Sequence, residues 1–254
     1  MKGIILAGGS ATRLYPLTRV INKHLLPIGS VPMVYYPIAR LLEAGIQDIL
    51  IISGPSDMGQ FAELLGDGDL VGAKLTYKVQ TRPGGTAQAL GLAREFVGKE
   101  PCVMALGDNF FAEPVRDALA PFLSSQRGAH MVLKRVDDAR RYGVAEVSND
   151  GRTITSLEEK PANPKSNLAV TGLYAYDATV FDIIDRTKAA RSGEIEITSV
   201  NAEYMSRGEL RFAEYSGEWI DAGTIDSYHK ANRMALERPL PAVLEPLFTP
   251  PPRK

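Results

Sequence analysis

Asp108 and Asp221 are the carboxylates whose surroundings point to chemistry. Each ends an apolar stretch near a glycine, in Leu106-Gly-Asp-Asn109 and Trp219-Ile-Asp-Ala-Gly-Thr224. A carboxylate at the end of an apolar strand lies at the mouth of an α/β crevice, where a hard cation is held. Magnesium takes one or two protein carboxylates and completes its octahedron with water and phosphate oxygens, so these two suffice. Candidate phosphate cations accompany them. In Leu6-Ala-Gly-Gly-Ser-Ala-Thr-Arg-Leu14 the glycines let backbone N–H groups turn inward, and Arg13 adds a forked cation. The loop lacks both the Gly-Lys-Ser/Thr ending of a P-loop and the G-x-G-x-x-G spacing of a dinucleotide fold. Lys23, in Asn22-Lys-His-Leu-Leu-Pro27, is a second such cation. Glu159 and Lys160 are adjacent at a strand end and point in different directions, one suited to a sugar hydroxyl and the other to a phosphate. Taken singly, each has a plain alternative: a turn aspartate, a solvated lysine, a charged strand end. Arg141-Tyr-Gly-Val144 reads equally as a turn, and Glu194-Ile-Glu-Ile-Thr198 as a helix start.

Composition removes several classes of function. With 29 basic and 30 acidic side chains the net charge is -1, so no global field draws the chain to nucleic acid or anionic lipid. Three histidines without zinc-like spacing and a single cysteine, Cys102 in an apolar run, leave any metal to oxygen ligands. The four apolar residues Ile4 to Ala7 after Met1-Lys2-Gly3 make neither a secretory segment nor a membrane span, and a cytoplasmic location is the expectation.

The elements that must position these residues follow from periodicity. Apolar runs at Gly3-Leu6, Asp48-Ile52, Leu75-Val79 and Cys102-Leu106 predict buried strands. Helical spacing between them predicts helices over 31–44 beginning after Pro32, over 56–65 and over 86–97. Alternating strands and helices give a mostly parallel sheet, with the loops after the first and fourth strands on one edge. From residue 128 short alternating strands (129–136, 144–147, 153–157, 169–176) predict a smaller β-rich part. Helical patterns return at 197–207 and 225–236, around strand-like 210–215 and 219–221. The stretch 238–254 carries six prolines and reads as an irregular tail.

In this order the segments resemble the sugar-nucleotide pyrophosphorylases, most closely the glucose-1-phosphate thymidylyltransferases. The resemblance rests on 6–16, 23–27, 32–37, 80–89, 107–109, 142–144, 158–161, 170–174, 194–198 and 219–224. It implies a Rossmann-like nucleotidyltransferase core with a smaller β-rich sugar-binding part. One domain would span 1–237, with a nucleotide part to about 125, a sugar part over 126–220 and a closing helix over 224–236. It also implies roles. Leu6, Gly8, Gly9, Ser10, Ala11, Thr12, Arg13, Gln80, Pro83, Gly85 and Asp108 would bind the nucleotide, with Gln80 and Gly85 at the base. Asn109, Tyr142, Gly143, Glu159, Lys160, Val170, Tyr174, Glu196 and Trp219 would bind the sugar phosphate. Arg13, Lys23 and Asp108 would be catalytic, and Asp108 and Asp221 would hold Mg2+. Three positions depart from the family pattern: Ala11 replaces a usual glycine, His24 a common glutamine and Ser199 a usual aspartate. The longer members have extra C-terminal helices that help form a regulatory site, so end-product control is not carried over.

The implied reaction is in-line attack of a sugar 1-phosphate on the α-phosphorus of a nucleoside triphosphate. dTTP and glucose 1-phosphate are the first choice of substrates, UTP or CTP the alternative. A regulatory protein that binds nucleotide sugars without turnover is the competing class. The family usually forms homodimers or homotetramers.

Overall fold

The computed structural model describes residues 1–9, 11–187 and 193–249. Its centre is a nine-stranded sheet. Four strands, β1 (Lys2–Leu6), β4 (Asp48–Ser53), β5 (Lys74–Val79) and β6 (Cys102–Leu106), run parallel in the order β5-β4-β1-β6, with β5 at the edge. Two short strands numbered between them, β2 (Pro27–Ile28) and β3 (Val31–Pro32), form a separate hairpin. Parallel strands covered on both faces need apolar residues on both, and alternate positions divide accordingly. Ile5, Ile49, Ile51 and Val103 join one core, which packs α1 (Tyr35–Glu43), and Ile4, Leu50, Ile52 and Met104 join the other.

Beyond β6 the sheet continues as antiparallel strands. The short β7 (Asn109–Phe111) and the helix α5 (Arg116–Ser125), numbered after α2 (Met58–Leu65), α3 (Thr86–Gly91) and α4 (Arg94–Val97), lead into β8 (Ala129–Arg135). Then come β9 (Gly143–Val147), β10 (Ile154–Glu159) and β11 (Leu168–Tyr176). β11 lies beside β6 at one end and β9 at the other, with β8 along its opposite edge. Its register shifts between Val170 and Tyr174, an irregularity that re-aims side chains where the strand changes neighbours. The strands of the β-rich part thus extend the parallel sheet. The chain closes with α6 (Val180–Arg186), α7 (Ile197–Ser206), β12 (Leu210–Glu214) parallel to β8, β13 (Trp219–Asp221) and α8 (Ile225–Leu236).

Three local expectations change. The helix expected from just after Pro32 starts at Tyr35, because Val31–Pro32 is used in the hairpin. Pro37 then falls in the first turn, where a missing N–H breaks no helical bond. The helix ends as Gly45 suggests: Gly45 takes φ 86°, its N–H meets Leu42 O at 2.8 Å and the Ile46 N–H meets Leu41 O at 2.9 Å. The single helix expected over 86–97 is two, α3 and α4. At Gly91 the N–H groups of Leu92 and Ala93 tighten onto Ala89 and Leu90, three residues back. The expected irregular tail contains a 3₁₀ helix, Ala242–Phe248, which inserts a fully buried Leu244 and packs on α1 and on the turn at Asp69–Val71. The residues 250–254 of that tail lie outside the described residues.

Behind the site, α1 supplies a buried arginine. Arg40 is 5% exposed; its Nε donates to Phe111 O (2.9 Å), its Nη2 to Ala112 O (2.7 Å) and its Nη1 to Glu43 (2.6 Å). The planar fork thereby pins the end of β7 to the helix. An ammonium cannot meet three acceptors in that geometry. Arg40→Lys is expected to cost about 1–2 kcal/mol of stability, read as a lower denaturant midpoint; an unchanged midpoint would show that the clasp contributes nothing.

Candidate active site

The carboxyl ends of β1 and β6 are tied together before any functional side chain is placed. The Gly107 N–H donates to Leu6 O (2.9 Å), and the Ala7 N–H to Ile52 O of β4 (2.8 Å). Asn22 then anchors the next segment: its amide donates to Ala7 O (3.3 Å) and to Asp57 (2.8 Å), and its Oδ1 accepts the His24 N–H (3.0 Å). Lys23 is thereby held over β6, and its ammonium donates to the Asp108 carboxylate. Asp221 arrives from the far end of the sequence. β13 pairs antiparallel with β7 so that Asp221 stands opposite Asn109, and the Ala222 N–H donates to Asp108 O (2.9 Å). The two candidate metal carboxylates are adjacent for this reason.

Asn109 has no freedom of orientation. Its Oδ1 accepts Trp219 Nε1–H (2.7 Å) and the Gly172 N–H (2.8 Å), which leaves its Nδ2 to donate to Asp108 Oδ1 (3.1 Å). Gly172 permits this approach, since a Cβ there would lie 2.7 Å from the Asn109 amide.

The two carboxyls respond to these surroundings in opposite directions. Burial works against the Asp108 carboxylate, but the Lys23 charge, with hydrogen bonds from Lys23 and Asn109, outweighs it and holds the group well below the usual range. Burial, and then the charge of Asp108, pushes Asp221 up. His24 beside them is buried, and burial followed by the Lys23 charge lowers it to about 3. It is therefore neutral at physiological pH, with Nδ1 2.7 Å from Asn22 Oδ1. Arg13 makes no hydrogen bond or ion pair with any described residue; a Cβ on Gly223 would come within 3.0 Å of its Nη2.

Two clefts open around these groups and share Thr86, Leu106 and Asp108. One is lined by Leu6, Gly8, Gly9, Lys23, His24, Gln80, Pro83 and Gly85. It therefore gathers most of the residues that the sequence assigns to nucleotide. The other is lined by Asn109, Tyr142, Gly143, Glu159, Lys160, Val170, Tyr174 and Trp219, with Arg13 and Asp221. Tyr142 and Trp219 form one wall, ring centroids 5.0 Å apart. Glu159 accepts from Lys160 Nζ (2.7 Å) and from Thr198 Oγ1 (2.7 Å).

Some assigned residues fall elsewhere: Arg13, which the resemblance assigns to the nucleotide, lines the second cleft and not the first. Ala11 faces a separate groove with Arg19 and Asp57, and Thr12 is exposed outside both clefts. Ala11 adopts φ 49°, a left-handed conformation that the usual glycine would take without strain. Ser10 lies outside the described residues. Glu196 lines neither cleft; Ile197 and Thr198, at the start of α7, line the second. Thr86, Arg141, Thr171 and Thr198 also line the second cleft; each lies in a segment that the sequence reading singles out, but none is given a role of its own there. The threonines carry no local signal, but Arg141 sits one residue before the assigned Tyr142.

Gly85 shows why the loop before α3 needs glycine. It takes φ 94°, and a Cβ there would lie 2.5 Å from Ile195 O, which accepts the Ala87 N–H at 3.0 Å. Gly85→Ala is expected to destabilise the fold by about 1–2 kcal/mol and to weaken nucleotide binding, read together by thermal unfolding with and without triphosphate. A variant with wild-type values in both would remove the argument.

The donor set suits a hard divalent cation: two adjacent carboxylates, one raised by burial and then by the charge of the other, a repulsion that a cation relieves. Among the described residues no cluster of three or more His, Cys, Asp or Glu offers another site.

The nucleotidyl transferase family model matches residues 2–238. A glucose-1-phosphate thymidylyltransferase of Xanthomonas campestris pv. campestris (strain B100) is 45% identical over 233 residues, 91% of this chain and 79% of the relative. One of Mycolicibacterium smegmatis is 45% identical over 229 residues, 89% of this chain and 79% of the relative. A crystal structure from Bacillus anthracis, assigned as a glucose-1-phosphate thymidylyltransferase in complex with sucrose, superposes with a TM-score of 0.90 at 48% identity, over 94% of this chain and 97% of that one. UDP-glucose pyrophosphorylase with UDP-glucose shares the fold, with a TM-score of 0.81 at 24% identity over 93% and 98% of the two chains.

Proposed function

The chain belongs to the nucleotidyl transferase family, and from that premise we propose that it condenses dTTP with α-D-glucose 1-phosphate to dTDP-glucose and pyrophosphate. The observation that carries the reading is the meeting of two clefts at Asp108, which suits a reaction between two separately held polyanions. The relatives named for this activity, at 45% identity, support the choice of substrates.

A phosphate oxygen of the sugar 1-phosphate attacks the α-phosphorus in line. The bond from that phosphorus to the bridging oxygen breaks, and pyrophosphate leaves with the electron pair. The task of the protein is positioning and charge neutralisation, which needs no covalent intermediate. Gln80 and Gly85 face the base, and Gly8 and Gly9 the triphosphate. Arg13 and Lys23 stabilise the charge that develops on the leaving pyrophosphate. Glu159 and the amide of Asn109 meet sugar hydroxyls, while Lys160 meets the phosphate. Asp108 and Asp221 would hold Mg2+, which when bound supplies Lewis-acid polarisation of the phosphates. The same reading carries a homodimer or homotetramer, measurable by light scattering, and a cytoplasmic location.

Pyrophosphate release over four nucleoside triphosphates and several sugar 1-phosphates tests the assignment. The expected maximum is dTTP with glucose 1-phosphate. A maximum at UTP or CTP would reassign the base, and no release with any pair would leave a nucleotide-sugar binder.

A further inference from the structure

The turn between β8 and β9 carries two consecutive arginines in different circumstances. Arg140 is engaged: its Nε and Nη2 lie 2.8 and 2.7 Å from the two carboxylate oxygens of Asp138. Arg141 makes no ion pair with any described residue. Its one hydrogen bond among them runs from Nη2 to Thr224 Oγ1 at 3.5 Å, the outer limit of such a contact, and its guanidinium stands 5.9 Å from the Tyr142 ring centroid. It lines the second cleft together with Tyr142, Lys160 and Asp221.

Two other cations of the site already have counterions: Lys23 on Asp108 and Lys160 on Glu159. Arg13 lies at the Gly223 side. Thr224 does not depend on Arg141, because its hydroxyl caps α8 in a reciprocal pair with Ser227 (2.8 Å). Releasing Arg141 from Thr224 therefore strands no polar group, and the guanidinium fork matches two oxygens of a phosphate.

We propose that Arg141 leaves Thr224 to clamp the phosphate of the sugar 1-phosphate. This rests on the transferase reading above. Arg141, Tyr142 and Gly143 are then one recognition strip, in which consecutive residues meet the phosphate and the sugar. The geometry also explains why a turn next to the sugar cleft keeps one arginine neutralised and the next one free.

The test compares R141A, R141K, R140A and wild type by calorimetric titration with glucose 1-phosphate and by steady-state turnover with dTTP. R141A is expected to bind the sugar phosphate about tenfold or more weakly, as for loss of a charge-assisted pair. Its KM for dTTP should stay within about twofold, since a charge lost from one cleft leaves the other intact. R141K, a point charge without the fork, should fall between, and R140A should match wild type. Equal affinity of R141A and wild type for glucose 1-phosphate overturns the clamp. So does a parallel loss of affinity for dTTP, the mark of a structural role. Product formation by the wild type with an unaltered R141A overturns the clamp alone, whereas a wild type that forms no product from glucose 1-phosphate with any nucleoside triphosphate overturns the transferase reading and the clamp together.

Discussion

Asp108→Asn is expected to lower pyrophosphate release by about a hundredfold or more, as does loss of a preorganised charge-stabilising group elsewhere. The substitution preserves shape and removes the charge. The backbone carbonyl of residue 108 still accepts from Ala222, so the β7–β13 pairing that brings Asp221 into place survives. What changes is the neighbourhood of Lys23, whose ammonium loses its counterion. One of the two adjacent carboxylates for a divalent cation disappears as well. Because Asp108 lines both clefts, affinity for both substrates should change along with turnover. Turnover within about tenfold of wild type, with a folded variant by circular dichroism, would contradict the role given to Asp108.

Arg13→Ala is expected to cost a comparable factor, about a hundredfold in kcat, for a different reason. Arg13 is exposed and makes no hydrogen bond or ion pair with a described residue, so the folded protein loses no partner when it is removed. Its unfolding free energy should therefore stay within about 0.5 kcal/mol of wild type. A full loss of turnover without loss of stability is the signature of a side chain retained for its substrate. A stability loss matching the activity loss would instead make Arg13 a structural residue, and near-normal turnover would take it out of the mechanism.

The parts of this site that local sequence reveals are those carried by one strand and its loop. β1 and β6 are apolar runs that end in glycine and polar residues, and Asp108 is placed by the end of β6 alone. Asp221 is different, since its position depends on β13 pairing with β7, a contact between residues more than a hundred positions apart. Nothing near Asp221 encodes that partner. Arg40 looks like one polar residue on an amphipathic helix, yet its acceptors, Phe111 O and Ala112 O, come from the end of β7 and just beyond it. Resemblance supplied the two residue sets for the clefts, while Ala11, Thr12 and Glu196 show that a shared motif does not fix where each of its side chains faces.

The partition of the clefts also sets how this scaffold can diversify. Thr86, Leu106 and Asp108 belong to both walls, so under the proposed function a change at any of them is expected to perturb donor and acceptor selectivity together. Gln80 and Pro83 belong only to one side, Tyr174 and Trp219 only to the other. On the proposed assignment of the clefts, libraries confined to Tyr174 and Trp219 are expected to explore new sugars while the base preference is inherited unchanged. Drift or selection acting on the two halves can proceed as two nearly independent searches joined at three fixed positions.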